Sequence, residues 1–193
     1  RPPIGREPET QSSTRCVGID FSMAPYPEES ESLGTAFERL GLPSVGLHGS
    51  LAVAAILTAA IEAADYPRTG FNGLLLQPLE DAVLAQRAAE GALTVGDLLM
   101  YSAVCGTGLD TIPLPGESSI EELSALSLDV SALAMRLHKA LTARLMPIPG
   151  KQAGDKTEFD FEFFANSRVL ELKAAPLGGV LAREESFQLP SRK

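Results

Sequence analysis

Cysteine and histidine are scarce, with two of each among 193 residues, and this scarcity limits the chemistry available. Cys16 and Cys105 stand far apart and no signal peptide opens the chain, so a disulfide framework of the secreted kind is not expected and a reducing cytoplasm fits. His48 and His138 are the only imidazoles that could serve a nucleophile as base. Positive charge is also short: 16 Lys and Arg face 25 Asp and Glu, a formal net charge of -9. Phosphate binding needs clustered cations, and no basic stripe appears, so nucleic acid is not an expected partner. Long hydrophobic runs are missing as well. The longest uncharged stretch, Leu40 to Ile61, carries Pro43, Gly46, His48, Gly49 and Ser50 in its first half. Only Leu51 to Ile61 is densely apolar, about half of the roughly 20 residues a spanning helix needs. A buried helix is the reading, and no membrane partner is expected. Gly150-Lys151 lacks the upstream glycine and the following Ser or Thr of a P-loop, which removes nucleotide binding by that route.

What is present suffices for one core, since 45% of the residues are hydrophobic. The expected layout is a flexible N-terminal segment over 1–15, a single α/β domain over 16–175 and a loosely ordered tail over 176–193. The chain begins at Arg1 without a methionine, followed by Pro2 and Pro3, and reads as a fragment, a cleaved product or a trimmed piece.

Val17, Ile19, Phe21 and Met23 alternate with polar or small residues, the period of a strand, with Asp20 and Ser22 on the opposite face. A helix is expected from about Ser30 to Leu40, ended by Gly41, and a second, capped by Ser50, runs to Asp65 with apolar residues most of the way round. Gly70 to Leu76 reads as a short buried strand, and Pro78 opens a helix with Glu80 and Asp81 in its first turn and Gly91 at its end. Thr94 caps a helix leading into the glycine-rich loop Cys105 to Thr111, which continues irregularly through Gly116. Ser118 with Glu121 forms a capping box for a short helix, and Val130, Leu133, Ala134, Leu137, Leu141 and Leu145 mark another at helical spacing. Phe159, Phe161 and Phe163 alternate with Asp160 and Glu162 as a half-exposed strand, followed by Val169 to Leu172. Strands separated by long helical connections indicate α/β architecture with mainly parallel strands.

Four runs carry a family resemblance: Gly18 to Pro25, Gly73 to Asp81, Tyr101 to Gly116, and Ala143 to Lys151 continuing to Asp155. In this order they resemble the signature segments of the domain-of-unknown-function 711 family. That family is similar in fold to the glycyl-radical enzymes. The resemblance implies a ten-stranded, mainly parallel α/β barrel, of which this chain is the C-terminal half. A missing N-terminal half or a second chain is then expected to cover open strand edges and apolar helix faces, with a homo-oligomer as another way of doing so. The resemblance also puts Cys105 at the position of the barrel's finger loop. Leu177-Gly178-Gly179-Val180 does not match the segment that stores a glycyl radical, so radical catalysis is not expected.

Cys105 and Asp110 are the candidate reactive or orienting groups. A thiolate at Cys105 requires an electropositive setting or a base nearby; the alternative is a buried small cysteine at a helix end. Gly106, Thr107 and Gly108 allow close backbone approach to a ligand. Arg144 and Lys151 are candidate holders of an anionic group, and His48 precedes a helix start where backbone N–H groups point outward. His138 sits at the edge of an apolar stripe, a structural position as much as a basic one. Asp20, Glu80 and Asp81, with Asp110 and Asp155, are candidate ligands for a divalent cation such as magnesium. Glu80 and Asp81 equally suit a helix N-terminus, and Asp110 a glycine turn. Three functions are compatible with these residues: an enzyme acting on a small polar metabolite inside the barrel, a noncatalytic small-molecule-binding or regulatory protein, and a structural subunit of an assembly.

Overall fold

The segment that the sequence presents as a glycine- and proline-rich loop is the central strand. In the computed structural model, which describes residues 15–183, 186 and 188–190, β1 (Gly108–Pro115) is buried at every residue from Gly108 to Leu114. Most of the expected flexible segment, residues 1–14, and residues 184, 185, 187 and 191–193 of the expected tail lie outside the described residues. A strand covered on both faces needs no polar alternation, which is why Leu109, Ile112 and Leu114 gave no strand period. β1 pairs in parallel with β2 (Thr142–Ile148), Gly108 opposite Thr142 and Pro115 opposite Ile148. Leu109 pairs with Ala143 but Ile112 with Leu145, so β1 carries an extra residue there, a β-bulge.

The same parallel sense continues beyond this two-stranded sheet. Residues 19–23 run beside 68–74, through bridges from Ile19 to Arg68 and Met23 to Leu74. Residues 74–79 then follow the start of β1: Gly106 N donates to Leu74 O at 2.8 Å and Leu79 N to Thr111 Oγ1 at 3.4 Å. The crossing of Gly73 and Gly106 is very close. A Cβ on Gly73 would lie 2.7 Å from the Gly106 Cα, so both positions must lack a side chain.

Parallel strands need crossovers, and helices supply them. α1 (Leu33–Arg39), α2 (Ser50–Glu62), α3 (Ala82–Glu90) and α4 (Val95–Tyr101) precede β1, and α5 (Ile120–Leu137) joins β1 to β2. Phe37, Val45, Ala54, Leu84, Leu98 and Tyr101 pack with Leu109, Ile112 and Leu114 in one apolar cluster. Each large side chain so buried contributes about 1.5–3 kcal/mol. The Thr94 cap and the left-handed Gly91 stand where the sequence placed them. No helix among the described residues is long and apolar enough to cross a membrane.

Several expected elements differ. Asp81 is the N-cap of α3, and Pro78 to Glu80 form a turn before it rather than the helix's first residues. Ser50 is the first residue of α2, where its hydroxyl donates to Leu47 O and accepts from Gly46 N, while Gly49 in a left-handed conformation is the cap. α2 is not buried all round, because Ile56 is 65% exposed. Ser119 with Glu122, one residue later than expected, forms the capping box of a single long helix, α5. That helix ends at His138 with φ 52°, so Leu141 and Leu145 belong not to it but to the approach to β2 and to β2 itself. Residues four apart satisfy a helical stripe and a strand face equally, and that ambiguity produced the misreading. Phe159, Phe161 and Phe163 form no strand. Phe164 N donates to Phe161 O in a turn, and the rings pack on one another, Phe161 against Phe164 at 5.1 Å and Phe163 against Tyr26 at 5.9 Å. Alternation makes a strand only where a partner offers a ladder.

Candidate functional site

The bulge in β1 turns Asp110 away from the apolar cluster that holds Leu109 and Ile112. Its carboxylate accepts from three directions: Gln77 Nε2 at 2.5 Å, the Thr111 backbone N–H at 2.9 Å, and Arg144 Nε from the neighbouring strand. Arg144 also donates through Nη2 to Glu80 Oε1 at 2.6 Å. The Arg144 side chain is half exposed, whereas the Asp110 side chain is 11% exposed. Burial works against the Arg144 charge, but the hydrogen bond to Asp110 and the charges of Asp110 and Glu80 outweigh it and hold its pKa above the ordinary arginine value. Thr111, fully buried and β-branched, has φ 49°, a conformation that costs about 1–3 kcal/mol and that surroundings must impose. Strand bulge, strain and a buried carboxylate thus coincide at one point.

Cys105 lies elsewhere on the same segment. It is 1% exposed, a free thiol inside the apolar cluster, and its N–H donates to Tyr101 O at 2.8 Å as the chain leaves α4. His48 and His138 are both exposed, and neither shares a hydrogen bond with Cys105 among the described residues. Lys139 approaches it instead: its ammonium donates to the carbonyls of Ser102, at 3.2 Å, and of Cys105. Burial lowers the Lys139 pKa, while the neighbouring Glu62 carboxylate opposes that shift. Carbonyls left over where α4 ends gain a cation in this way.

The remaining candidates divide into those beside Asp110 and those apart from it. Gly106 and Gly108 serve strand packing: Gly106 donates to Leu74, and a Cβ on Gly108 would lie 2.7 Å from Thr142 O. Thr107 accepts from Thr142 N at 2.6 Å through its carbonyl, and its buried hydroxyl has no partner among the described residues. Lys151, after β2, pairs with Glu158 at 2.7 Å. Asp20 accepts from Phe71 N, Asn72 N and the Ser22 hydroxyl, which last holds its carboxyl below the usual range together with the Asn72 contact. Asp81 caps α3, and Asp155 accepts from Gln152 N in its own turn at 2.7 Å. Asp20, Glu80 and Asp81 are therefore not brought together, and among the described residues no group of three His, Cys, Asp or Glu stands ready to hold a metal ion.

Two participants escaped the sequence reading, Gln77 and Lys139. Gln77 had a signal: it is the single polar residue between the apolar Leu74-Leu75-Leu76 and Pro78, and a buried amide there needs a partner. Lys139 had none beyond its place after a helix end. A cleft of about 930 Å³, lined by Leu93, Leu99, Leu126, Arg168 and Leu172 among others, opens apart from all these candidates. It holds none of the polar cluster, so cavity size and chemistry point to different places here. The chemistry is the more specific guide.

The class so defined is a mixed α/β protein with a small parallel sheet and a polar cluster at a strand bulge. The chain belongs to the DUF711 family, described as Uncharacterised ACR, whose model matches residues 3–166. It is similar to a UPF0210 protein of Pyrobaculum aerophilum, 39% identical over 156 residues that make up 79% of this chain and 35% of the relative. A UPF0210 protein of Lactobacillus delbrueckii subsp. bulgaricus is 36% identical over 158 residues, 77% of this chain and 35% of the relative. One of Methanococcoides burtonii is 35% identical over 161 residues, 81% of this chain and 35% of the relative. The chain thus spans about a third of the length of these relatives.

Proposed function

We propose that the protein binds a small polar metabolite on the face of its parallel strands that carries Asp110, Arg144, Gln77 and Glu80. In this reading that face lines the interior of a ten-stranded, mainly parallel α/β barrel in the reducing cytoplasm, to which this chain contributes the C-terminal part. The rest of a family polypeptide, in the same chain or another, or a second copy, covers the open edge at residues 17–23. The exposure of Val17, Phe21 and Met23 supports such covering. The observation that carries the reading is the Arg144 side chain, half exposed yet with its guanidinium fixed between two carboxylates. Cys105 has a structural part, in keeping with its burial.

A second reading, an enzyme acting on the same metabolite, is favoured by the strain at Thr111, since unusual backbone geometry clusters at active sites. Asp110 then acts as the base that takes a proton from the ligand once Arg144 shifts toward that ligand.

Native mass spectrometry of protein purified gently from its source tests the proposal. A bound small molecule that is absent from Asp110→Asn protein supports it. A homo-oligomer with nothing bound favours a structural subunit instead, and a bound divalent ion would redirect attention to the carboxylates.

A further inference from the structure

We propose that the ligand of this site carries a carboxylate, gripped by the outer edge of the Arg144 guanidinium; this rests on the small-molecule reading above and names its ligand class. A guanidinium presents five N–H groups in a rigid planar fork with two usable edges. The edge formed by Nε and Nη2 is spent on Asp110 and Glu80. Nη1, at the other edge, has no hydrogen-bond partner among the described residues, and the side chain is 50% exposed. Two parallel donors at that spacing fit the two oxygens of a carboxylate or a phosphate. The two internal carboxylates also fix the plane of the fork, so little side-chain freedom is lost when the ligand arrives.

Charge decides between the two anions. Asp110 and Glu80 against Arg144 leave the cluster at one net negative charge, in a chain of net charge -9. A phosphate dianion brings twice the repulsion of a carboxylate to the same place. The repulsion is therefore smaller for a singly charged head group than for a dianion. Gln77 offers a further handle: the amide that holds Asp110 is 5% exposed, and its carbonyl oxygen has no hydrogen-bond partner among the described residues. A buried acceptor left without a donor is uncommon in folded proteins and marks this end of the cluster as incomplete.

The test is calorimetric titration of the natively purified protein with acetate, succinate, inorganic phosphate and acetamide, repeated with Arg144→Gln and Arg144→Lys. Carboxylates are expected to bind more tightly than phosphate, and acetamide not at all. Arg144→Gln should weaken carboxylate binding by about ten-fold or more, and Arg144→Lys, which keeps the charge and the internal pairing but loses the fork, by an intermediate factor. Unchanged carboxylate binding in Arg144→Gln, no carboxylate binding to the native protein, or equal binding of acetamide overturns the inference. Its failure is separable from that of the parent reading. A metabolite extract that yields an uncharged ligand lost in Asp110→Asn but kept in Arg144→Gln overturns the carboxylate while the site stands; an extract that yields no ligand for the native protein removes both.

Discussion

The hydroxyl of Ser32 donates to the carboxylate of Asp81 at 2.6 Å, joining the start of α1 to the start of α3. The same carboxylate accepts from Leu33 N at 2.6 Å, from Gly34 N at 3.3 Å, and from Val83 and Leu84 N at 3.0 and 2.9 Å. One side chain thus satisfies the free N–H groups of two helices.

Asp81→Ala strands several buried donors at once and should destabilise by about 3–5 kcal/mol, among the largest effects available to a polar residue here. Because both Asp81 oxygens are already occupied, stripping divalent cations with EDTA should leave the thermal midpoint unchanged. A urea melt reads the first effect and a thermal scan the second.

Cys105 inside the apolar cluster and Cys16 at the surface should react with iodoacetamide at very different rates. We expect alkylation of Cys105 to be slower by about a hundred-fold or more, since it requires local opening of the fold. Time-resolved peptide mass spectrometry measures the ratio. Comparable rates would reopen Cys105 as a nucleophile.

Gly73→Ala pushes a methyl group into the backbone of Gly106 and should cost about 3 kcal/mol. Gly150, where φ is 74° but a Cβ meets nothing, supplies the comparison. There the substitution carries only the conformational cost, about 1 kcal/mol. Denaturant midpoints of the two variants separate close packing from backbone preference.

Arg87 holds Glu38 with Nε at 2.7 Å and Nη2 at 2.9 Å, tying α3 to α1. The hydrogen bond from Arg87, opposed by burial, keeps the Glu38 carboxyl below its ordinary value of 4.5. A lowered native pKa means that the unfolded chain takes up the proton first. The stabilisation is therefore complete above pH 4.5 and lost as the pH falls through the lowered native value. Glu38→Gln should destabilise by about 1 kcal/mol near neutral pH, with the difference from the native protein shrinking in acid. Stability measured by urea midpoint across that range gives the curve.

The helices were legible where their ends carry local signals. Thr94 and Gly91 could be placed because a cap and a left-handed turn depend on the residue itself. β1 was not legible, because its burial on both faces erases alternation and its glycines and prolines imitate a loop. β2 was hidden by residues whose spacing serves two periods. Within the candidate site, Asp110 and Arg144 were visible as residues but their meeting was not. It depends on two strands joined through α5, a relation between distant segments that no local pattern encodes. Glu80 entered the reading as a helix or metal residue, and only its approach to Arg144 reveals its place.

The extra residue in β1 has the arithmetic of parity behind it. In an unbroken strand Asp110, Ile112 and Leu114 would share one face. The carboxylate would then sit among the core leucines, or Ile112 and Leu114 would stand on the polar side. Insertion of a single position between Leu109 and Ile112 inverts the face assignment for everything that follows, so that these two residues, three apart in sequence, both face the core. Deleting one of the two bulged residues would restore a regular strand with Leu109 and Ile112 still on one face, whereas deleting both Asp110 and Thr111 would make those two residues neighbours and put them on opposite faces.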